Sequence, residues 1–321
     1  MHPLKTNTLK IESSITEFLV CPICNGKVNI LDETLICLES ECNSEYPIIS
    51  GIPILINEAD SIFKFDDYKM VADTLSLTDR LRIISSYLPS LSNNLSYKSN
   101  FKLLNELLKG KARPKILIIG GAIITAGTEL IIRPQNIVVE SDVYFGPRTQ
   151  IIIDSHSIPF QEGTFDAVIV QTVLEYVGDP FKCVAEIHRV LKKSGVVYAS
   201  SPFIQQTKAG LVDYYRFTKL GHRRLFNRFV EIESGVFAGP GVALGWSIRT
   251  FLCSFTNNRY LKYLLGFFVS LLFFWLKWLD YIIEYLGNAN EGASGFYFVG
   301  MKSDVKLSDL DLINVFKSKT P

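Results

Sequence analysis

The 321-residue chain lacks the features that would assign it at once to a common class of proteins. Its net charge is only +1 and its isoelectric point is near 7.6, so it has no overall positive charge that would attract nucleic acid. The first residues contain no apolar run of signal-peptide length, which argues against secretion. The uncharged apolar segment 263–276 is shorter than the roughly 20 residues of a membrane-spanning helix. These absences favour a cytoplasmic protein that does not act on nucleic acid.

Cysteine is scarce as well, but four of the six cysteines cluster near the N-terminus. Thiols clustered in a chain without a secretion signal indicate metal binding in a reducing compartment rather than disulfides. Two pairs of thiolates on facing turns suit tetrahedral zinc, and four thiolates leave no coordination position open for a substrate. Free cysteines in a small β unit are the alternative. We predict a structural zinc site formed by Cys21, Cys24, Cys37 and Cys42.

The sequence around these cysteines resembles the small zinc-ribbon proteins that partner tRNA and protein methyltransferases. The resemblance rests on the Cys-Pro-x-Cys-x-Gly segment that begins at Cys21 and on residues 46–53. It departs in the second cysteine pair, which is Cys-x4-Cys instead of Cys-x2-Cys. The resemblance implies a zinc-ribbon unit over residues 1–57, followed by a helical linker or lid over residues 58–112.

From residue 115 the chain alternates apolar strands, loops and helices, which is the pattern of a parallel sheet covered by helices on both faces. A helix precedes this region, and we expect Asn100 to be its N-cap and Gly110 its C-cap. Ligands of such sheets bind at the carboxyl ends of the strands. We predict an α/β fold with a doubly wound sheet whose seven strands lie at residues 115–119, 136–140, 150–153, 165–171, 195–200, 229–234 and 295–301.

Residues 154–203 contain an acidic residue, an Ile-Pro-Phe turn, a buried strand, a helix that ends at Lys-Lys-Ser-Gly and a further strand. This order closely resembles the second half of a class I S-adenosylmethionine-dependent methyltransferase domain of the type 11 kind. The resemblance covers most of residues 113–302 and leaves residues 303–321 as a C-terminal tail. It implies a Rossmann-like methyltransferase sheet, S-adenosylmethionine as the cofactor and methyl transfer as the reaction.

The same resemblance assigns cofactor contacts to residues at the carboxyl ends of the predicted strands. Glycines after the first strand let the backbone approach the cofactor, although Ile118 and Ala122 stand where an acidic residue and a second glycine are expected. An acid after the second strand would bind the ribose hydroxyls, and Asp142 suits that position better than Glu140. The predicted cofactor contacts are Gly120, Gly121, Glu140, Asp142, Asp154, Ser155 and Gln171.

An oxygen or nitrogen acceptor would also benefit from a general base near the donated methyl group. The candidates for a catalytic role are Glu175, after the fourth strand, and Asp213 and His222, after the fifth. The segments 213–218 and 221–226 further resemble a subgroup of bacterial methyltransferase-domain proteins, many of them encoded with cell-surface glycan enzymes. That resemblance leaves the acceptor open.

A hydrophobic insertion, residues 239–294, separates the sixth and seventh predicted strands. Read as one helix, its segment 262–284 has a broad surface rich in Phe, Trp and Leu and a narrow polar stripe. Such a helix can lie in a membrane interface, or it can pack on the domain or on the second subunit of a homodimer. The sixth strand is expected to run parallel to the cofactor-binding strands, so the insertion would leave from the active-site edge. The polar stripe comprises Lys262, Gly266, Ser270, Lys277, Asp280 and Glu284.

Three functions fit these features. The leading prediction is a methyltransferase at the inner face of the cytoplasmic membrane, whose acceptor is a lipid-linked sugar or another small-molecule or cell-envelope glycan precursor. The alternatives are an RNA or protein methyltransferase, which the zinc ribbon suggests, and a non-catalytic scaffold with a degenerate cofactor loop. The neutral charge argues against RNA or protein methylation, as does the Gln-Thr-Val-Leu sequence at Gln171, where an Asn-Pro-Pro-Tyr-type motif would stand.

Overall fold

The structure is a computed structural model that describes residues 9–69, 89–207 and 212–319. Its centre is a mixed sheet of eleven strands. The strands are β1 Val28–Leu31, β2 Thr34–Cys37, β3 Glu45–Ile49, β4 Ile52–Leu55, β5 Lys115–Ile119, β6 Ile137–Asp142, β7 Ile151–Ile153, β8 Phe165–Gln171, β9 Leu191–Pro202, β10 Phe229–Ala238 and β11 Gly295–Lys302. The α-helices of the described residues are α1 Ser13–Thr16, α2 Phe65–Lys69, α3 Tyr97–Leu108, α4 Pro180–Val190, α5 Lys219–Leu225, α6 Pro240–Cys253, α7 Arg259–Phe273, α8 Leu276–Tyr285 and α9 Asp309–Lys319.

Seven strands form the doubly wound part of the sheet, in the spatial order β7-β6-β5-β8-β9-β11-β10. Strands β5 to β9 are parallel to one another, and β11 is antiparallel to both β9 and β10. The predicted seven-stranded α/β fold is confirmed. Several boundaries differ from the prediction: β6 ends at Asp142, β10 ends at Ala238, and β9 begins at Leu191. The Lys-Lys-Ser-Gly segment therefore belongs to β9 and not to helix α4.

The N-terminal unit continues the same sheet. Strands β1 to β4 form an antiparallel meander, and β4 then pairs in parallel with β7, with Ile54 opposite Ile152 and Leu55 opposite Ile153. Its buried residues Ile15 and Tyr46 belong to the same apolar cluster as Val168 of β8. The unit therefore shares a core and a sheet edge with the larger fold.

The opposite face of the sheet is covered by α3. Phe101 and Leu104 of this helix are fully buried against residues of β5, β8 and β9. The helix begins at Tyr97, after Ser96, so the prediction of Asn100 as N-cap was wrong. Asn100 lies buried in the first turn, where its Nδ2 donates to Ser96 Oγ at 3.2 Å. The C-cap is Lys109, and Gly110 follows it with a φ of +84°, a conformation that glycine adopts without strain.

The hydrophobic insertion is three helices, α6 to α8, and the prediction of one helix was wrong because α7 and α8 are bent by 44°. The residues that α7 and α8 bury are Gly266, Val269, Leu276 and Asp280. Lys262 and Glu284, at the two ends of the predicted polar stripe, are exposed. Asp280 accepts hydrogen bonds from the backbone amides of Gly241 and Val242 in the first turn of α6, at 2.5 and 3.1 Å. The broad apolar face therefore points outward.

Within the described residues, no single helix is long and apolar enough to cross a membrane. Only α7 and α8 taken together reach that length and composition, and they are separated by the bend.

Candidate active site at the carboxyl edge of the sheet

The four N-terminal cysteines lie where one metal ion could bind them all. The Sγ atoms of Cys21 and Cys42 are 3.6 Å apart, those of Cys24 and Cys37 are 3.5 Å apart, and all four lie within 4.8 Å of one another. Zn–S bonds of about 2.3 Å in a tetrahedron require S···S distances of about 3.8 Å, so the geometry suits Zn²⁺. The set is complete without a solvent ligand, as a structural site requires.

Backbone amides and hydroxyls surround these sulfurs. The Cys21 Sγ accepts from the Ile23 amide at 3.4 Å and contacts the Tyr46 hydroxyl at 3.0 Å. The Ser44 hydroxyl, 3.3 Å from Cys42 Sγ, lowers the pKa of that thiol to about 7. Groups of this kind orient the ligands of a metal and favour the thiolate form.

The loop after β5 is held in a compact conformation by its glycines. Gly120 has a φ of +79°, and a Cβ atom added there would lie 2.5 Å from Cγ2 of Val173. A Cβ on Gly121 would lie 3.3 Å from the Cα of Glu140, because the loop packs directly on β6. Side chains are thus excluded from the place where the backbone would have to approach the cofactor.

The two departures from the usual glycine pattern are accommodated by the neighbouring residues. Ile118 is 4% exposed and belongs to the apolar cluster under α3. The methyl group of Ala122 lies against Gly146, where an added Cβ would be only 2.6 Å from the Cβ of Ala122. A glycine on the facing loop therefore provides the space that Ala122 needs.

Asp142 is placed at the end of β6, beside this loop. Its Oδ2 accepts from the Ala122 amide at 3.1 Å, and its Oδ1 accepts from the amides of Val143 and Tyr144 at 2.8 and 3.1 Å. Burial raises the pKa of Asp142. A carboxylate offers about four acceptor positions, so one stays available for a ribose hydroxyl.

Glu140 has a different environment. It lies inside β6 and forms a two-pronged ion pair with Arg148, with N–O distances of 2.5 and 2.6 Å. Together they line a cavity against the N-terminal segment 9–16. The geometry therefore favours Asp142 over Glu140 as the ribose ligand, and both assignments remain predictions.

Asp154 directly follows β7 and is almost completely buried. Its Oδ1 accepts from Nδ1 of His156 at 2.6 Å, and its Oδ2 accepts from the Ser61 hydroxyl at 2.6 Å. Burial alone would raise the pKa of Asp154, but these hydrogen bonds lower it. The hydrogen bond that His156 Nδ1 donates to Asp154 raises the pKa of His156 to about 10. The Asp179 amide has the opposite effect, because it donates to His156 Nε2 at 3.1 Å and so opposes protonation of that nitrogen. Ser155 is buried, with its Oγ 3.2 Å from the Sγ of Cys183.

The segment 57–69, which follows β4, crosses the carboxyl ends of β6 and β7; we call it the strap. Ser61 bonds to Asp154, and Asp60 forms an ion pair with Lys182 at the start of α4. The Tyr68 hydroxyl donates to the carbonyl of Val143 at 3.0 Å, immediately after β6. The strap thus bridges the loops after two strands and the start of α4, over the edge where the nucleoside part of the cofactor is expected.

The end of β8 lies beside the glycine loop. The Thr125 hydroxyl donates to Oε1 of Gln171 at 2.7 Å. The next residue, Thr172, has a φ of +51°, which is a strained conformation for a β-branched residue. Strained backbone of this kind concentrates at functional sites, where the surrounding structure holds it in place.

Glu175 and Asp213 lie in the same part of the site, close to Arg216. Arg216 forms a two-pronged ion pair with Asp213, at 2.5 and 2.8 Å, and donates to the carbonyls of Gln205 and Gln206 in the loop after β9. Hydrogen bonding to Asp213 raises the pKa of Arg216, and the charges of Asp213 and, more weakly, Glu175 add to this effect. The Glu175 carbonyl also accepts from the amides that follow Asp213, and its side chain is 1% exposed. The structure therefore brings two of the three predicted catalytic residues together.

His222 is not part of this group. It is 2% exposed, and its ring contacts those of Phe217 and Phe226 in the core. Burial, together with the charge of Arg223, lowers the pKa of His222 to about 3. A closed environment and such weak basicity argue against its predicted role as a general base.

Sequence reasoning did not find Ser61 or Arg216 as parts of the site. Ser61 is far from Asp154 along the chain, and no local pattern marks it. Arg216 lies within the segment 213–218, whose resemblance to bacterial methyltransferase-domain proteins the sequence shows. Its role, however, depends on the loop after β9, which lies close to it only in the folded protein. The available signal was the spacing of Asp213 and Arg216, an acid three residues before an arginine.

Two segments of the chain match models of known families. Residues 137–199 match a methyltransferase domain, and residues 13–51 match the Trm112p-like proteins. The mouse mitochondrial protein named arginine-hydroxylase NDUFAF5 is 40% identical over 58 residues, which are 18% of this chain and 16% of the mouse protein. The match thus spans about one sixth of that relative.

Solved structures with a similar chain course are more distant in sequence. A complex that contains the Haloferax volcanii Trm112 methyltransferase activator has a chain with 14% identity and a TM-score of 0.40, over 65% of this chain and 91% of that chain. The Burkholderia thailandensis 1,6-didemethyltoxoflavin-N1-methyltransferase has 12% identity and a TM-score of 0.42, over 87% and 100%. Residues 137–199 therefore carry a methyltransferase domain and residues 13–51 a Trm112p-like unit.

Proposed function

We propose that this protein transfers a methyl group from S-adenosylmethionine to an acceptor at a membrane surface, with a lipid-linked sugar or another cell-envelope glycan precursor as the acceptor. The observation that carries the proposal is that β10 is parallel to β9, so the insertion α6–α8 leaves from the same sheet edge as the glycine loop. Asp142 and Asp154 lie at that edge too. A membrane-seated insertion would bring the donor close to a lipid-linked acceptor.

When bound, S-adenosylmethionine supplies an electrophilic methyl group on a sulfonium, which the acceptor displaces in line. The chain would hold the ribose through Asp142 and the adenine end through Asp154, with the glycine loop against the amino-acid end. Positioning donor and acceptor in this way lowers the entropic part of the barrier. Asp213, which is ion-paired with Arg216, and the nearby buried Glu175 are the residues proposed to accept the acceptor's proton.

The four cysteines are proposed to bind structural zinc. Their sulfurs fit a tetrahedral site, and the unit they close lies at the far edge from α6. Since β4 leads directly into the strap, zinc would act on the reaction only by holding the strap and the sheet edge in place.

The first test is calorimetric titration of the zinc-loaded protein with S-adenosylmethionine and S-adenosylhomocysteine. We expect binding that is lost in Asp142→Ala and kept in Glu140→Gln, because Glu140 is occupied by Arg148. The reverse pattern would identify Glu140 as the ribose ligand. A folded protein that binds neither compound would refute methyl transfer and favour the scaffold function.

A second experiment, a comparison of turnover with different acceptors, tests the class of acceptor. Turnover should rise when the acceptor is presented in vesicles and not when RNA or a protein extract is supplied. Methylation of RNA or protein in the absence of vesicles would overturn the membrane part of the proposal. The resemblance of one segment to a protein named a hydroxylase makes it necessary to identify the product by mass, since a methyl group and an oxygen atom add different masses.

A further inference from the structure

The outer face of the insertion is apolar although it is exposed. Tyr260 and Tyr285 are 84% and 89% exposed, and further large apolar side chains surround them on α6 to α8. A helix that packs on a soluble core normally turns its apolar stripe inward. Here α7 and α8 bury Gly266, Val269, Leu276 and Asp280, and most of their large apolar side chains face outward. Contiguous exposed apolar surface of this kind marks an interaction site.

Basic side chains line a groove between α6 and α7, at the border of this face. They are Arg249 of α6 and Arg259 and Lys262 of α7, and none of the described residues that line the groove is acidic. The Arg249 guanidinium lies 5.0 Å from the ring centre of Trp246, and that of Arg259 lies 5.6 Å from Tyr263. Among residues 9–69, 89–207 and 212–319, none of the three cations has an ion-pair partner.

We infer that this groove binds the phosphate of an anionic phospholipid while the apolar face of α7 and α8 is seated in the bilayer interface. Guanidinium groups bind phosphate through paired hydrogen bonds, and long basic side chains reach the headgroup level from an apolar surface. The inference rests on the membrane part of the proposed function and adds to it a headgroup site and a preference for negative charge.

The charge of the groove favours a bilayer over a second copy of the chain as the partner that covers the apolar face. In a two-fold symmetric dimer the same patch of both copies meets, so the acids that pair with the groove cations would have to come from that patch itself. The patch offers no acidic partner for them, because Asp280 is buried against α6 and Glu284 lies a helix away. An anionic lipid surface supplies the complementary charge.

Vesicle flotation tests the site, with phosphatidylcholine alone or mixed with phosphatidylglycerol. The test variant carries Arg249→Gln, Arg259→Gln and Lys262→Gln. A matched control removes the same charge from exposed lysines elsewhere, through Lys98→Gln, Lys102→Gln and Lys193→Gln. Each basic residue at an anionic surface strengthens binding about fivefold, so the test variant should bind mixed vesicles about 100-fold more weakly.

The control should bind like the wild type, and added salt should weaken wild-type binding to mixed vesicles. Equal binding of the wild type to both kinds of vesicle, or an unaffected test variant, would overturn the headgroup site. A stable dimer by light scattering that ignores vesicles would assign the face to a second copy and overturn it as well. Titration of the same samples with S-adenosylmethionine is independent of the groove, so failure of the donor site is recognised separately.

Discussion

The contact between the strap and Asp154 allows a quantitative test of how the N-terminal unit affects the donor site. Ser61→Ala removes a hydrogen bond of 2.6 Å to a carboxylate that is only 6% exposed, and also the longer bond of 3.2 Å that the Ser61 hydroxyl accepts from the Phe63 amide. Hydrogen bonds to charged groups contribute about 1.5–3 kcal/mol, and because Ser61 is half-buried, water can replace part of this. We expect a loss of about 1–2 kcal/mol in the free energy of unfolding.

The same change should weaken cofactor binding. If the strap forms the outer wall of the nucleoside pocket, a loss of about 1 kcal/mol in its attachment corresponds to a Kd about fivefold higher. Calorimetric titration with S-adenosylhomocysteine measures this, and urea unfolding measures stability. Ser194→Ala, at an exposed position near the opposite edge, is the matched control.

The pH dependence of stability in Ser61→Ala has a predicted direction as well. Hydrogen bonds from His156 and Ser61 lower the pKa of Asp154, so its contribution to stability is present at neutral pH and is lost as the pH falls through the folded pKa. Without Ser61 that pKa rises, and the loss should begin at a higher pH. If Ser61→Ala lowers stability but leaves the Kd unchanged, the strap supports the fold without forming part of the cofactor pocket.

Three further predictions concern other contacts. Asp280→Ala leaves the Gly241 and Val242 amides buried without an acceptor, which should cost about 2–5 kcal/mol in urea unfolding, whereas Glu284→Ala on the same helix should cost far less. Gly146→Ala should displace the glycine loop, because the new Cβ would overlap Ala122, and the affinity for the cofactor should fall in titrations. Gly163→Ala is the control, because its positive φ strains an alanine while its Cβ would lie in open space. Removal of zinc by a chelator should lower both the Tm and the affinity for S-adenosylhomocysteine, and readdition of zinc should restore both; an unchanged affinity would separate the metal from the strap.

Local patterns were sufficient to predict the sheet. Runs such as Lys115–Ile119 and Phe165–Gln171 are apolar and bounded by glycine or polar loops, and both strands occur with the predicted bounds. The same holds for the cysteine cluster, because two short spacings bring four sulfurs together without help from the rest of the chain. These features depend on neighbours in sequence.

Contacts between distant segments could not be predicted. Asp154 was expected near the adenine, but its partner Ser61 arrives through the pairing of β4 with β7. His222 looked available as a base, yet the aromatic residues that enclose it include Phe217 and Phe226 on either side of the helix, and its burial depends on their packing against β11. The face of α7 and α8 that packs inward could not be predicted from a helical wheel, because the wheel gives the two faces but not which one contacts α6.

The pairing of β4 with β7 also has a consequence for how the protein can be divided. Strand β7 would otherwise be the outermost strand of a parallel sheet, with a row of unsatisfied backbone amides and carbonyls along Ile151–Ile153. Bare edges of this kind recruit strands from other molecules. Strand β4, which is synthesised before β7, therefore covers an edge that is made later, and a fragment cut between the two strands would be prone to self-association.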